Sequence, residues 1–244
     1  ASLRGADLEE ATLMNARLAR ADLEAAKLSR ADLVEVVWTG ANLRGASFRS
    51  ATFLKADLTG VSFARADLVQ ATFVECAVGG ADFSDADLHK ATFVTCHGED
   101  VKLQRTRLLE AVMLHGTALP RADFTDALLE RCCLRTSAFP EGRFDRARMK
   151  MVDLSECKLS RAVFDEAQLQ QALLIRANLE GASLRGANLT EAILSKASIP
   201  GADFGGTQLT RADFTRAQGD ARTRFDDAVV RFTRFSSQSG EAAS

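Results

Sequence analysis

The sequence predicts an all-β solenoid of stacked coils, on two observations. A large apolar residue recurs every five positions, and a small residue stands two places before it. Ala6-Asp7-Leu8, Ala21-Asp22-Leu23, Ala41-Asn42-Leu43, Ala66-Asp67-Leu68 and Ala81-Asp82-Phe83 set the pattern in the first half. Ala122-Asp123-Phe124, Ala177-Asn178-Leu179, Ala187-Asn188-Leu189 and Ala212-Asp213-Phe214 carry it on. A period of five fits neither the 3.6 of a helix nor the 2 of a flat strand. It requires a repeat architecture whose backbone turns at each unit, so that every large residue stays inside.

With the large apolar residue taken as the centre of each unit, centres fall at every fifth position from Leu3 to Met113. Trp38, Val78 and Gly98 are the irregular members. The register slips by one residue near Leu114 to Ala118, resumes at Leu119 and holds to Phe214. A second one-residue slip, around Gln218 to Arg222, precedes Phe225, Val230 and Phe235. One solenoid over 1–235 is expected, followed by a small, polar tail, 236–244, expected to be disordered. Asp or Asn before the centre recurs so regularly that service to the backbone turns is expected of it. A lone coil cannot bury its own apolar side chains, so stability is expected from stacking at the ~4.8 Å spacing of any sheet.

This pattern resembles the pentapeptide-repeat family, whose consensus is a small residue, Asp or Asn, Leu or Phe, and two variable residues. The resemblance covers about residues 1–235. It implies a right-handed quadrilateral β-helix with four pentapeptides to each square coil; roughly 46 units then make about 11 coils and a rod on the order of 55 Å long. The run Leu174-Ile175-Arg176-Ala177-Asn178-Leu179-Glu180-Gly181-Ala182, followed by Ala192-Ile193-Leu194-Ser195-Lys196-Ala197, is similar to pentapeptide segments of bacterial type VI secretion accessory proteins. The break Gly219-Asp220-Ala221-Arg222-Thr223 looks like that class too. That likeness implies a domain of a larger protein that helps to load effectors, and an opening at Ala1 in mid-repeat is expected of such a piece. Other family members resemble B-DNA and bind DNA gyrase, giving fluoroquinolone resistance. This sequence departs from them in surface charge, with Arg4, Arg44, Arg49, Lys55, Arg65 and Lys90 all at outward positions. It also lacks their long loops and an obvious C-terminal dimerisation helix.

The charge balance supports the departure. Thirty-one basic residues are interspersed with 33 acidic ones, for a net charge of −2. Neither the positive field of a duplex-binding surface nor the acidity of a DNA mimic follows from that, and no nucleic-acid partner is expected. No apolar stretch approaches eighteen residues, so no membrane-spanning helix is expected. No signal peptide is visible, and a bacterial cytoplasmic location is expected. Of five cysteines, Cys76, Cys96, Cys132 and Cys157 take the small inward position and Cys133 faces out. Free thiols are expected; Cys76 and Cys96 stack as neighbours, but parallel strands aim their sulfurs poorly for a disulfide. His89, His97 and His115 fall on three different sides, so no metal site is expected. Without a phosphate loop, a cofactor motif or an acid/base pair, the chain is expected to be no enzyme.

One feature exceeds what the repeat requires. On the side holding centres 13, 33, 53, 73, 93 and 113, the next residue outward is Met14, Val34, Leu54, Val74, Val94 and Leu114. On the other three sides of the same coils that position is Val, Leu, Ile, Met or Phe only at Val69 and Leu109. Such a column either stacks on itself or marks an interface, with a second copy, another domain of the parent chain or a different protein partner. Val69 and Leu109 are expected to widen it, and Leu173, Ile175 and Ile193 to continue it past the slip. All three prolines, Pro120, Pro140 and Pro200, follow centres of a different side, where no ladder N–H is needed.

Overall fold

The structure, a computed structural model, describes residues 2–235; the tail expected to be disordered lies outside the described residues. The chain winds into an all-β solenoid of about eleven turns, each made of four pentapeptides. Every turn pairs in parallel with the next, twenty residues on, as in Ser2↔Asp22, Asp7↔Lys27 and Arg17↔Val37. Across two places the separation becomes twenty-one, at His97↔Ala118 and at Asp203↔Arg224. The extra residues lie at Gly116 and within 219–223.

Two kinds of corner make the coil. At most corners the N–H three residues after the centre donates back to the centre's carbonyl, as from Ala6 to Leu3 and from Ala26 to Leu23, both 3.0 Å. The residue two after the centre then has positive φ, 63° at Gly5 and 57° at Glu10. That is a type II turn. The carbonyl of its first central residue joins the ladder, as Glu24 accepts from the Gly5 N–H at 2.9 Å, but the N–H does not, and Asp or Asn before the centre caps it: Asp57 accepts from Thr59 at 3.0 Å and Asp82 from Ser84 at 2.9 Å. Pro120, Pro140 and Pro200 occupy that same position, where a fixed φ helps and a missing N–H is harmless.

The second kind of corner stays open. On one side of the first six turns the ladder runs through the residue after the centre, giving strands β1 (Thr12–Met14), β2 (Asp32–Val34), β3 (Thr52–Leu54), β4 (Thr72–Val74), β5 (Thr92–Val94) and β6 (Val112–Leu114). They form one parallel sheet in sequence order, in unbroken register from Met14↔Val34 to Val94↔Leu114. Thr before the centre and β-branched or large apolar residues after it suit an extended backbone. Beyond Gly116 the same side closes into turns, with Ser137 donating to Leu134 at 3.2 Å and Cys157 to Leu154 at 3.2 Å. Two further short strands, β7 (Asp213–Phe214) and β8 (Arg234–Phe235), pair near the last turn.

The interior is filled by the centres. Phe53, Phe73 and Phe93 stack at 4.7 and 4.5 Å, and Phe124, Phe144 and Phe164 at 4.7 Å each, with edge-on contacts between columns. The small inward position admits Ala, or a polar residue that donates to a carbonyl one turn away, as Thr106 does to Phe83 at 2.9 Å. Gly98 breaks the centre pattern for a steric reason: a Cβ there would lie 2.2 Å from the Gly79 nitrogen. Trp38 fills its centre completely, yet its indole N–H is buried without a partner.

Candidate functional site

The open-corner sheet is the surface that the repeat does not explain. In β3, β4, β5 and β6 the centre is buried while the residues either side are half-exposed, so these residues form the outer face. That face carries two columns. One reads Thr12, Asp32, Thr52, Thr72, Thr92 and Val112; the other is the apolar column from Met14 to Leu114. Met14, on the first strand, is 63% exposed. Val34, Leu54, Val74, Val94 and Leu114 are half-buried because each is shielded by its neighbours along the ladder. A third column, two residues after each centre, forms the rim: Asn15, Glu35, Lys55, Glu75, Thr95 and His115, all exposed. Lys55 Nζ lies 3.9 Å from a Glu75 oxygen.

The remaining apolar candidates sit elsewhere. Val69 and Leu109 belong to the neighbouring side, around a corner and two turns apart, with His89 between them donating to the Leu109 carbonyl at 2.9 Å. Val69 is only 9% exposed, so it adds nothing to the flat face. Leu173, Ile175 and Ile193 do cluster on the sheet's side, with Leu173 paired to Ile193. Arg135, which reaches Asp153 at 3.9 Å and Glu156 at 3.6 Å, stands between them and Leu114. On this side the apolar outward residues therefore fall into two separate parts, while Met151, Val230, Phe232 and Phe235 are exposed outside both. Sequence reasoning placed Lys55 outward but did not pair it with Glu75, although the alternation of Glu35, Lys55 and Glu75 every twenty residues was there to be read.

The other columns are electrically balanced. Arg105 pairs with Asp85 at 2.7 Å and Arg146 with Asp126 at 2.8 Å, in one column whose signs alternate turn by turn. The guanidinium hydrogen bonds hold Asp85 and Asp126 below the ordinary carboxylate range and raise both arginines. Both places of altered spacing carry a clasp. Arg121 holds Asp100 at 2.8 Å and contacts Glu99. Asp220 accepts from the Gly201 N–H at 2.9 Å and from Arg222, which together lower its pKa to about 2. There a carboxylate replaces the backbone acceptor that the insertion removed.

All five cysteines are free, and burial pushes Cys132 and Cys157 up to about 12. Contact with Cys96 and burial also raise Cys76. Among the described residues no group of three His, Cys, Asp or Glu side chains could hold a metal ion, and no helix is long and apolar enough to cross a membrane. A groove of about 530 Å³ is lined by Ser160, Arg161, Glu180, Pro200 and Arg222.

A five-residue period, type II corners capped by Asp or Asn, and Leu or Phe columns inside define a class of repeat solenoid. The family model described as pentapeptide repeats matches residues 1–30, 26–65, 62–97, 162–199 and 177–216, more than half of the chain. The protein belongs to the pentapeptide repeat family. Among solved structures it is similar to HetL, a pentapeptide repeat protein involved in heterocyst differentiation regulation from the cyanobacterium Nostoc sp. Strain PCC 7120. The two share 26% identity over 95% of this chain and 84% of that one, with a TM-score of 0.41. Rfr23 from the cyanobacterium Cyanothece 51142 shares 27% identity over 46% of this chain and 67% of its own, with a TM-score of 0.33. QnrB1, a plasmid-mediated fluoroquinolone resistance protein, shares 16% identity over 89% and 92%, with a TM-score of 0.48. No curated protein matches the chain.

Proposed function

We propose that this protein is a non-catalytic scaffold that binds protein through the six-stranded sheet β1–β6. The observation that carries this reading is the column Met14, Val34, Leu54, Val74, Val94 and Leu114. It is apolar in six successive turns on the side where the corners are open, whereas no outward column of the other sides is apolar in every one of those turns and one of them alternates paired Arg and Asp. A contiguous apolar face rimmed by charge is the anatomy of an interface. Leu173, Ile175 and Ile193 form a second, smaller contact on the same side.

The triple variant Val34→Asp, Leu54→Asp, Val74→Asp tests the reading. Bound proteins are compared after capture from the source cell, against a control variant with Thr59→Asp and Ser84→Asp on other sides. A partner held by the parent and by the control, and lost by the folded triple variant, is the expected result. A partner retained by all three overturns the assignment of the sheet.

Gyrase protection by DNA mimicry is the competing reading, and the alternating charge columns oppose it. Duplex phosphates present charge of one sign, whereas here Arg and Asp or Glu are interleaved, as where Arg30 faces Glu10 and Arg105 faces Asp85 one turn away. A supercoiling assay with purified gyrase is expected to show neither inhibition nor rescue from ciprofloxacin. The scaffold reading is independent of the type VI secretion likeness, which lies in 174–197 and meets the apolar surface only at Ile175 and Ile193. A role in loading effectors would use that second contact.

A further inference from the structure

We propose that the occupant of the sheet is a second copy of this chain, packed face to face with the two rods antiparallel. This rests on the protein-binding reading and gives it a geometry. The ladder repeats without a bulge from β1 to β6, so the face is flat and regular along its length. A two-fold axis lying across the rod, midway between β3 and β4, sets β3 against β4 of the second copy, β2 against β5 and β1 against β6. Each column then meets itself in reverse. Leu54 packs on Val74, Val34 on Val94 and Met14 on Leu114, and every apolar residue of the column meets another.

The rim selects this arrangement. Lys55 of one copy comes opposite Glu75 of the other, and by symmetry the contact forms twice. Glu35 meets Thr95, and Asn15 meets His115. On the opposite flank Asp32 meets the Thr92 hydroxyl, Thr52 meets Thr72 and Thr12 meets Val112. No like charges face one another. Shifting the axis by half a turn onto β3 brings Glu35 opposite Glu75 and Lys55 opposite itself, while an axis through β4 brings Glu75 opposite itself. Parallel rods, related by an axis along their length, put Glu35 over Asp32 of the other copy twice. Juxtaposed like charges are the main source of discrimination between alternative interfaces. Both side chains are accessible to the second copy, since Lys55 and Glu75 are each 53% exposed, and the pair they form within one copy at 3.9 Å is extended across the interface.

The size of the face fixes the strength. Six strands about 4.8 Å apart and three extended residues wide present on the order of 300 Å² per copy. A standard stable interface takes about 800 Å² from each partner. The dimer is therefore reversible and concentration-dependent.

Sedimentation of the full chain from about 10 µM to about 1 mM tests the proposal, with Lys55→Glu and Glu75→Lys as the probes. Each single reversal leaves like charges facing at both symmetric contacts and is expected to weaken self-association about tenfold. An equimolar mixture of the two variants restores both attractive contacts, so it is expected to dimerise like the parent although neither variant does alone. Circular dichroism confirms that both remain folded. A parent that stays monomeric to the top of this range overturns the dimer, and the capture experiment above then judges the sheet alone. If the parent dimerises and Leu54→Asp with Val74→Asp abolishes it, but the charge reversals and their mixture change nothing, the antiparallel geometry is wrong and the sheet remains an interface.

Discussion

Replacing Phe73 by alanine tests how load is carried inside the rod. Phe73 is fully buried, stacked on Phe53 at 4.7 Å and on Phe93 at 4.5 Å, and edge-on to Phe63 and Phe83 at 6.4 and 6.1 Å. A buried Phe→Ala change costs about 3–5 kcal/mol. The upper part of that range is expected here, because four ring pairs are lost together and each such pair is worth about 0.5–1.5 kcal/mol beyond its area. Phe73→Leu keeps a residue that fills many other centres and is expected to cost less than half as much. In a solenoid each turn touches only its neighbours, so the damage should be local. Urea denaturation gives the total, and amide hydrogen exchange gives its distribution. Protection should fall at β3, β4 and β5 and hold at residues 140–200. A loss below about 1.5 kcal/mol, or protection lowered evenly along the rod, would refute column-by-column support.

Three further outcomes are expected. Trp38→Phe removes a buried N–H that has no acceptor. It should leave the unfolding midpoint unchanged or raised, whereas Trp38→Ala should cost about 3–5 kcal/mol, measured in urea. Asp220 has a folded pKa of about 2 against an ordinary 3.8, so its contribution to stability is complete above pH 3.8 and is lost as the pH falls towards 2. Asp220→Asn should therefore melt below the parent at pH 6 and match it near pH 2, by thermal scans across that range. Cys133 is the one cysteine of the five that is not buried, so a thiol reagent should modify one cysteine in the folded protein and five after denaturation. A second fast thiol would contradict the packing of Cys132 and Cys157.

The repeat was legible because its period and its chemistry agree. Ala, Asp and Leu in succession state inward, cap and inward at every unit, and Asp57 and Asp82 do cap the turn N–H groups. The places of altered spacing could be read from the centres, but their clasps could not. Asp220 reaches Gly201 and Arg121 reaches Asp100 only after the coil has closed, about twenty residues away along the chain. The column from Met14 to Leu114 was visible as apolar. That it marks open corners was not, because Thr before the centre and Val after it read as strand only when the missing turn bond is known. Val69 shows the limit of counting outward positions: its side chain follows a centre as Val74 does, yet it is nearly buried on another side.

The two kinds of corner also explain why the binding face lies where it does. At both kinds of corner the residue two after the centre has positive φ, 53° at Lys55 and 57° at Glu10, but only at a type II corner is a side chain before the centre called on to cap an N–H. Asp and Asn meet that demand, as Asp57 and Asp82 do, which accounts for their recurrence before the centre on the turn-built sides. At an open corner the ladder takes up the N–H of the residue after the centre, and no side chain is needed to cap it. Thr can then replace Asp, and Val or Leu can replace the polar residue, without loss to the backbone. The first six turns therefore have one side whose outward side chains are released from holding the coil together. Selection for a partner can act there without destabilising the rod. Past Gly116 the corner closes, Arg135, Ser155, Ser195 and Thr215 follow the centres, and the apolar column ends at Leu114 with only Ile175 beyond it.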